Sequence, residues 1–130
     1  MDVVWSFFPY DEKRGVPAAE PHPALVFETT EFRDGEYAVK VAYGTSNVTR
    51  AERAQHFVVS NWNALQFAGL NKETFFDLGR FKWLPWRSEF FASPDLDKYP
   101  TPVIGRILGD GQAVLRYVIE QRRAAGLVVP

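Results

Sequence analysis

The sequence has no cysteine, so no disulfide frame and no thiolate zinc site can form. Two histidines in 130 residues are too few for a His-only metal centre. No apolar run approaches the length of a membrane span. The first residues, Met1-Asp2-Val3-Val4-Trp5, lack the basic stretch and apolar core of a signal peptide, so the expected location is the cytoplasm. There is also no excess of positive charge. Net charge is −1, and a protein that holds phosphates must then gather its cations locally, because phosphate contacts dominate such affinity.

What is abundant is aromatic. Eleven Phe, five Tyr and four Trp are a heavy load for a chain of single-domain size, and β-structure accommodates such rings well. Val3 to Phe8, closed by Pro9, reads as a first strand. Asp11 to Pro23 reads as a loop, bent at Gly15 and stiffened by Pro17, Pro21 and Pro23. Ala24 to Phe27 is a buried strand, and Asp34-Gly35 is a hairpin signal before a return strand over Tyr37 to Tyr43. Gly44-Thr45-Ser46-Asn47 is a turn, and Thr49 to Ala54 a helical turn. Phe57-Val58-Val59 is a short strand, and Asn61 to Leu70 reads as mixed, ending in a loop. Thr74 to Leu78 and Arg80 to Leu84 are strands about a kink or bulge at Gly79. Trp86 to Pro102 is an irregular excursion, and Val103 to Leu108 the last strand.

A closing helix then starts with Asp110 as its expected cap and stops at Gly126. Ala113, Val114, Tyr117, Val118 and Gln121 share its predicted inner face; Arg116, Glu120, Arg122 and Arg123 lie off that face. The tail from Leu127 to Pro130 is apolar and suited to docking on the barrel or a partner. Short strands at turn-punctuated spacing plus one helix imply a mainly β (α+β) chain, a single domain over residues 1–130. Its expected form is a small SH3-like curled β-barrel with a C-terminal amphipathic helix.

Several segments, in order, resemble the MazF/PemK toxins. They are the first strand with its Phe-Phe-Pro ending, the strand start Pro21-His22-Pro23-Ala24-Leu25-Val26, and the strand end Val41-Ala42-Tyr43-Gly44-Thr45-Ser46. A hairpin from Phe75-Phe76-Asp77-Leu78 to Trp83-Leu84 and the strand Val103-Ile104-Gly105-Arg106-Ile107 before a helix complete the pattern. The stretch from Trp86 to Pro102 is longer than that family's pattern. The resemblance implies a homodimeric endoribonuclease that cuts single-stranded mRNA without metal or cofactor. It also implies an antitoxin protein that lays an acidic segment across the RNA groove. The implied reaction is attack of a ribose 2′-hydroxyl on the adjacent phosphate, which needs a base, an acid and donors for the phosphorane charge. The implied catalytic pair is an Arg before the Pro of the second strand and a Thr or Ser closing the third. Thr45 matches the second, with Ser46 beside it; His22 stands in place of the Arg.

Each of these residues also has a plainer reading. His22 is either a base or charge partner at phosphate, or a loop cap that packs its ring between two prolines. Thr45 and Ser46 either meet phosphate or shape the turn. Lys13 and Arg14 either hold RNA phosphates or are solvated charges of the first loop. Tyr43, Trp62, Trp83 and Trp86 can stack bases, although rings in a small barrel are usually core, and Trp86 is the one expected at the surface. His56 reads as a satisfied structural residue, and no pattern singles out Arg80, Arg87 or Arg106. The rival to the enzyme is a catalytically disarmed SH3-like module that binds a protein or nucleic acid.

Overall fold

The computed structural model describes residues 1–10, 12–47 and 56–130. Six strands form one antiparallel curled sheet in the order β4-β5-β3-β2-β1-β6. They are β1 (Asp2–Ser6), β2 (His22–Arg33), β3 (Glu36–Thr45), β4 (Phe57–Val59), β5 (Thr74–Pro85) and β6 (Val103–Arg106). Among the described residues two helices accompany them, α1 (Trp62–Ala68) and α2 (Gly109–Ala124). The chain is therefore mainly β, a curled half-barrel with a C-terminal helix, as its patterning predicts. The segment proposed as a helical turn, Thr49 to Ala54, lies outside the described residues. Among the described residues no helix is long and apolar enough to cross a membrane.

Alternation along the strands buries both faces of the sheet. Val3, Leu25, Ala42 and Phe76 belong to one core cluster, which Leu115 of α2 joins. Their chain neighbours Val4, Ala24 and Val41 belong to the other, together with Leu84. Phe8, Phe90 and Phe91 pack in this second cluster. The excursion from Trp86 to Pro102 is thus irregular but pinned. It is tied to β1 by Trp5 N–H to the Pro102 carbonyl (2.9 Å) and, just beyond that strand, by Phe7 N–H to the Phe90 carbonyl (2.8 Å). The buried Ser6 hydroxyl adds a bond to the Phe90 carbonyl (3.1 Å).

The hairpin forms where Asp34-Gly35 indicates. Arg33 pairs with Glu36, and Gly35 takes the left-handed conformation at φ 73°. β2 nevertheless extends further than its apolar run. It begins at His22, so His22 and Pro23 belong to the strand and not to the loop, and it ends at Arg33. Pairing with β3 carries the polar half of β2, Glu28 to Arg33, along.

The expected hairpin between Phe75 and Leu84 is one continuous strand, β5. It carries a bulge instead of a turn: Ala42 pairs with Phe81 and Gly44 with Phe76, so four residues of β5 stand opposite Tyr43 alone. The extra residues reset the alternation, and both Phe76 and Phe81 meet the same core cluster.

Asn61 to Leu70 corrects the sequence reading. Asn61 caps α1, its Oδ1 accepting from the Asn63 N–H (2.9 Å), and Gly69 ends it at φ 71°. Asp110 is not a cap; Leu108 holds that position without a side-chain bond, and Asp110 lies in the first turn of α2. There the acid still meets the positive end of the helix dipole. The inner face of α2 is Leu115, Val118 and Ile119, whereas Val114 and Tyr117 are exposed.

At its end α2 closes as a Schellman turn. Gly126 is at φ 75°, and the Leu127 N–H reaches the Arg122 carbonyl (2.9 Å). Arg122, expected on the outer side, is instead buried. Its Nε and Nη2 donate to the Val128 carbonyl at 3.0 and 2.8 Å. A Cβ at position 79 would lie 3.1 Å from this guanidinium, so Gly79 leaves the space it occupies. Replacing Arg122 by Met should lower stability by about 1.5–3 kcal/mol, the usual worth of bonds to a charged group. In urea denaturation the midpoint falls, and hydrogen exchange at Leu127 to Val129 accelerates most.

Candidate functional site

A groove of about 820 Å3 opens where β2 starts and β3 ends. His22, Ser46, Lys72, Lys98, Tyr99 and Trp5 line it, with Asp95 as its carboxylate. The lysines come from segments distant in sequence: Lys72 follows α1, and Lys98 lies in the 86–102 excursion.

His22 is held from several directions. It pairs with Ser6 of β1 in the sheet register. Its ring lies 5.1 Å from that of Tyr43, and Tyr43 lies edge-on to Phe8 at 5.5 Å. Partial burial pushes the imidazole below its ordinary value of 6.5; nearby Glu20 opposes this and the Arg80 guanidinium reinforces it. At pH 7 the ring is neutral, the form that can accept a proton.

Thr45 does not line the groove, although it closes the strand that pairs with β2. Ala24 pairs with Tyr43 and Leu25 with Ala42. The β2–β3 pairing begins there; beyond it Gly44 still lies against Pro23, and Thr45 pairs with Phe75 of β5. Gly44 makes the close approach possible, because a Cβ there would lie 2.4 Å from the Pro23 carbonyl oxygen and 2.8 Å from the Phe76 ring. The Thr45 hydroxyl accepts the Asn47 N–H at 3.1 Å, a turn-shaping bond that leaves its own proton to donate.

The other sequence candidates fall elsewhere. Lys13 and Arg14 are exposed on the first loop. Arg14 lines a second groove of about 660 Å3 with Lys82 and Arg87. Trp86 is partly exposed, as expected, but its ring packs on Phe91 at 4.7 Å and borders a small apolar cavity with Val4, Val26 and Val39. His56 is satisfied: its Nδ1 accepts the Leu78 N–H at 3.3 Å. Of the four rings weighed for stacking, Tyr43 is core-facing and Trp62, Trp83 and Trp86 are exposed.

Sequence reasoning missed Lys72, Lys98, Tyr99 and Arg80. The first three carry no local motif and meet only in the folded chain. Arg80 follows the Gly79 bulge, and its guanidinium lies 4.2 Å from the centre of the Tyr43 ring. The bulge was the readable signal, since such irregularities re-aim side chains.

Comparison with protein-family models, with curated proteins and with solved structures finds no match to this chain. The chemistry is therefore argued from the groove alone. A neutral imidazole, the Ser46 hydroxyl and two ammonium groups line it, a proton acceptor together with donors for an anion.

Proposed function

We propose that the protein is an endoribonuclease of the toxin type, cutting single-stranded RNA at the His22 groove by 2′-hydroxyl attack on the neighbouring phosphate. The observation that carries this reading is the meeting of His22 with Ser46, Lys72 and Lys98 on one groove. His22 takes the 2′-hydroxyl proton as the 2′-oxygen bonds to phosphorus. The bond from phosphorus to the 5′-oxygen breaks, and the imidazolium returns a proton to that leaving oxygen. The products are a 2′,3′-cyclic phosphate and a 5′-hydroxyl. Thr45, Ser46 and the two lysines supply hydrogen bonds and charge to the phosphorane oxygens. Trp5 and Tyr99 offer faces on which bases stack. A MazF/PemK-type homodimer in the cytoplasm, restrained by an antitoxin protein, is the biological setting that this reading carries with it.

A second reading is a non-catalytic module on the same sheet. The Asn47 N–H already bonded to the Thr45 hydroxyl favours it.

The test is purified protein with a long single-stranded RNA and a chelator, followed from mildly acid to mildly alkaline pH. Cleavage at preferred sites, ending in cyclic phosphate, is the expected result. The sign of its pH dependence follows from His22. Its folded pKa is below 6.5, so the base form dominates at neutral pH and activity is lost only as pH falls below that value. A folded protein that leaves the RNA intact across the whole range is the binding module.

A further inference from the structure

A bulge in β2 sorts its side chains between the two faces of the sheet. Val26 pairs with Val41 but Glu28 with Lys40, so Phe27 is the extra residue. Phe27 packs on the main core and Val26 on the second. Beyond the bulge the alternation restarts one residue late. Glu28 then meets Lys40 at 2.7 Å on one face, while Thr29 and Glu31 stand opposite Val39 and Tyr37 on the other.

That second face carries a cavity of about 310 Å3, partly open to solvent. Val4, Val26, Val39 and Val103 form its inner wall, and Trp86 closes one side. Asp2, Thr29 and Tyr37 also line it and are exposed, so they form its mouth. The walls are preset. Valine side chains have little rotamer freedom to lose. Trp86 is fixed by its N–H to the Tyr37 carbonyl (2.7 Å) and by its ring against Phe91.

Size and charge define what fits. An apolar cavity of about 150 Å3 takes one benzene ring, so this one has room for two fused rings. Among its described lining residues Asp2 alone carries a charge. Glu31 stands beside the mouth and accepts a hydrogen bond from the Tyr37 hydroxyl. Arg106 is opposite Asp2 on β6 but is no part of the wall. A carboxylate only accepts hydrogen bonds, and the faces of Trp86 and Tyr37 attract cations.

We propose that this cavity binds a small aromatic cation, its fused-ring body seated on the valines beside Trp86 and its protonated amine held by Asp2 at the mouth. The cavity shares no lining residue with the His22 groove, and binding here is independent of RNA cleavage.

The probes are three indoles with one ring body and different charge at pH 7: tryptamine, a cation; indole, neutral; and indole-3-acetate, an anion. Isothermal titration calorimetry gives the affinities, and methyl NMR of the valines gives the place. Tryptamine should bind about 5-fold more tightly than indole, the upper range for an exposed ion pair, and indole-3-acetate most weakly. Tryptamine should also shift the methyl resonances of Val4, Val26, Val39 and Val103. Asp2→Asn should cost tryptamine about 5-fold and leave indole unchanged. Thr29→Phe puts a ring into the mouth and should abolish binding of both. Each change is at an exposed position, so melting curves should match wild type. If Thr29→Phe does not fold, Asp2→Asn carries the test alone.

The proposal is overturned if tryptamine does not bind, or binds without moving those methyl groups. It is equally overturned if folded Asp2→Asn binds tryptamine as wild type does, or if the three indoles bind alike.

Discussion

Alanine at Gly105 is expected to lower the melting temperature by about 10 °C or more. A Cβ on Gly105 would lie 2.3 Å from the Ala68 carbonyl carbon and 2.4 Å from the Phe67 carbonyl oxygen. Both are backbone atoms of α1, so no side chain can rotate away to admit it. The helix itself must retreat from β6. Retreat opens the main core where Ala68, Leu70 and Ile104 meet. Overpacking of this kind costs about 1–3 kcal/mol before the lost contacts are added. Against a total stability of about 5–15 kcal/mol, the loss is large. The opposite side of the contact is equally tight, since a Cβ on Gly69 would meet the Ile104 carbonyl oxygen at 2.0 Å, and Gly69 is also at φ 71°. Gly109→Ala is the control. Nothing lies within 4 Å of its Cβ, and it stands in the first turn of α2, so stability should hold or rise slightly. Thermal denaturation of both variants checks the pair. A Gly105→Ala protein that melts with wild type would mean that α1 does not sit tightly on β6.

The second large effect is on catalysis. His22→Gln should reduce RNA cleavage by about 10²–10⁴-fold, the range lost when a positioned base is removed. Glutamine keeps a polar group of similar reach beside Tyr43 but cannot take a proton near pH 7. Melting should change little, because His22 is only half-buried and makes its strand pair through the backbone. Whatever cleavage remains should have lost its fall at acid pH, since the group that titrates there is gone. Thr45→Ala and Ser46→Ala should each cost less, as they remove one donor and leave the base. Wild-type cleavage by His22→Gln would place the chemistry elsewhere in the molecule. Initial rates on one RNA across pH, with cyclic phosphate as the product measured, separate these outcomes.

Much of the sheet is legible in the sequence because its signals are local. Asp34-Gly35 can turn the chain without help, and alternation over Val3 to Ser6 and Val39 to Tyr43 needs only neighbouring residues. Gly126 ends α2 for the same reason. α1 is harder to read, since its seven residues bury Ala68 alone and its apolar periodicity is faint. The cap at Asn61 and the glycine at 69 were the better guides.

The candidate site divides along the same line. His22, Thr45 and Ser46 are visible as residue types flanking a strand start and a strand end, and the fold then brings His22 and Ser46 to one groove. Lys72, Lys98 and Arg80 have no such flag. They reach the groove, or the ring beside it, only because α1, the 86–102 excursion and the β5 bulge converge there.

By itself, then, the sequence determined a β-rich chain with a closing helix, the position of its hairpin and the identity of His22 as the residue to watch. Those features follow from short-range forces: dihedral preference, alternation and side-chain chemistry. Only the tertiary structure decided which face of α2 turns inward, for two apolar stripes share its helical period, and packing admitted Leu115, Val118 and Ile119 over Val114 and Tyr117. It also decided that Arg122 is buried against the tail. Those outcomes depend on which surfaces meet across the sheet, and no stretch of neighbouring residues carries that information.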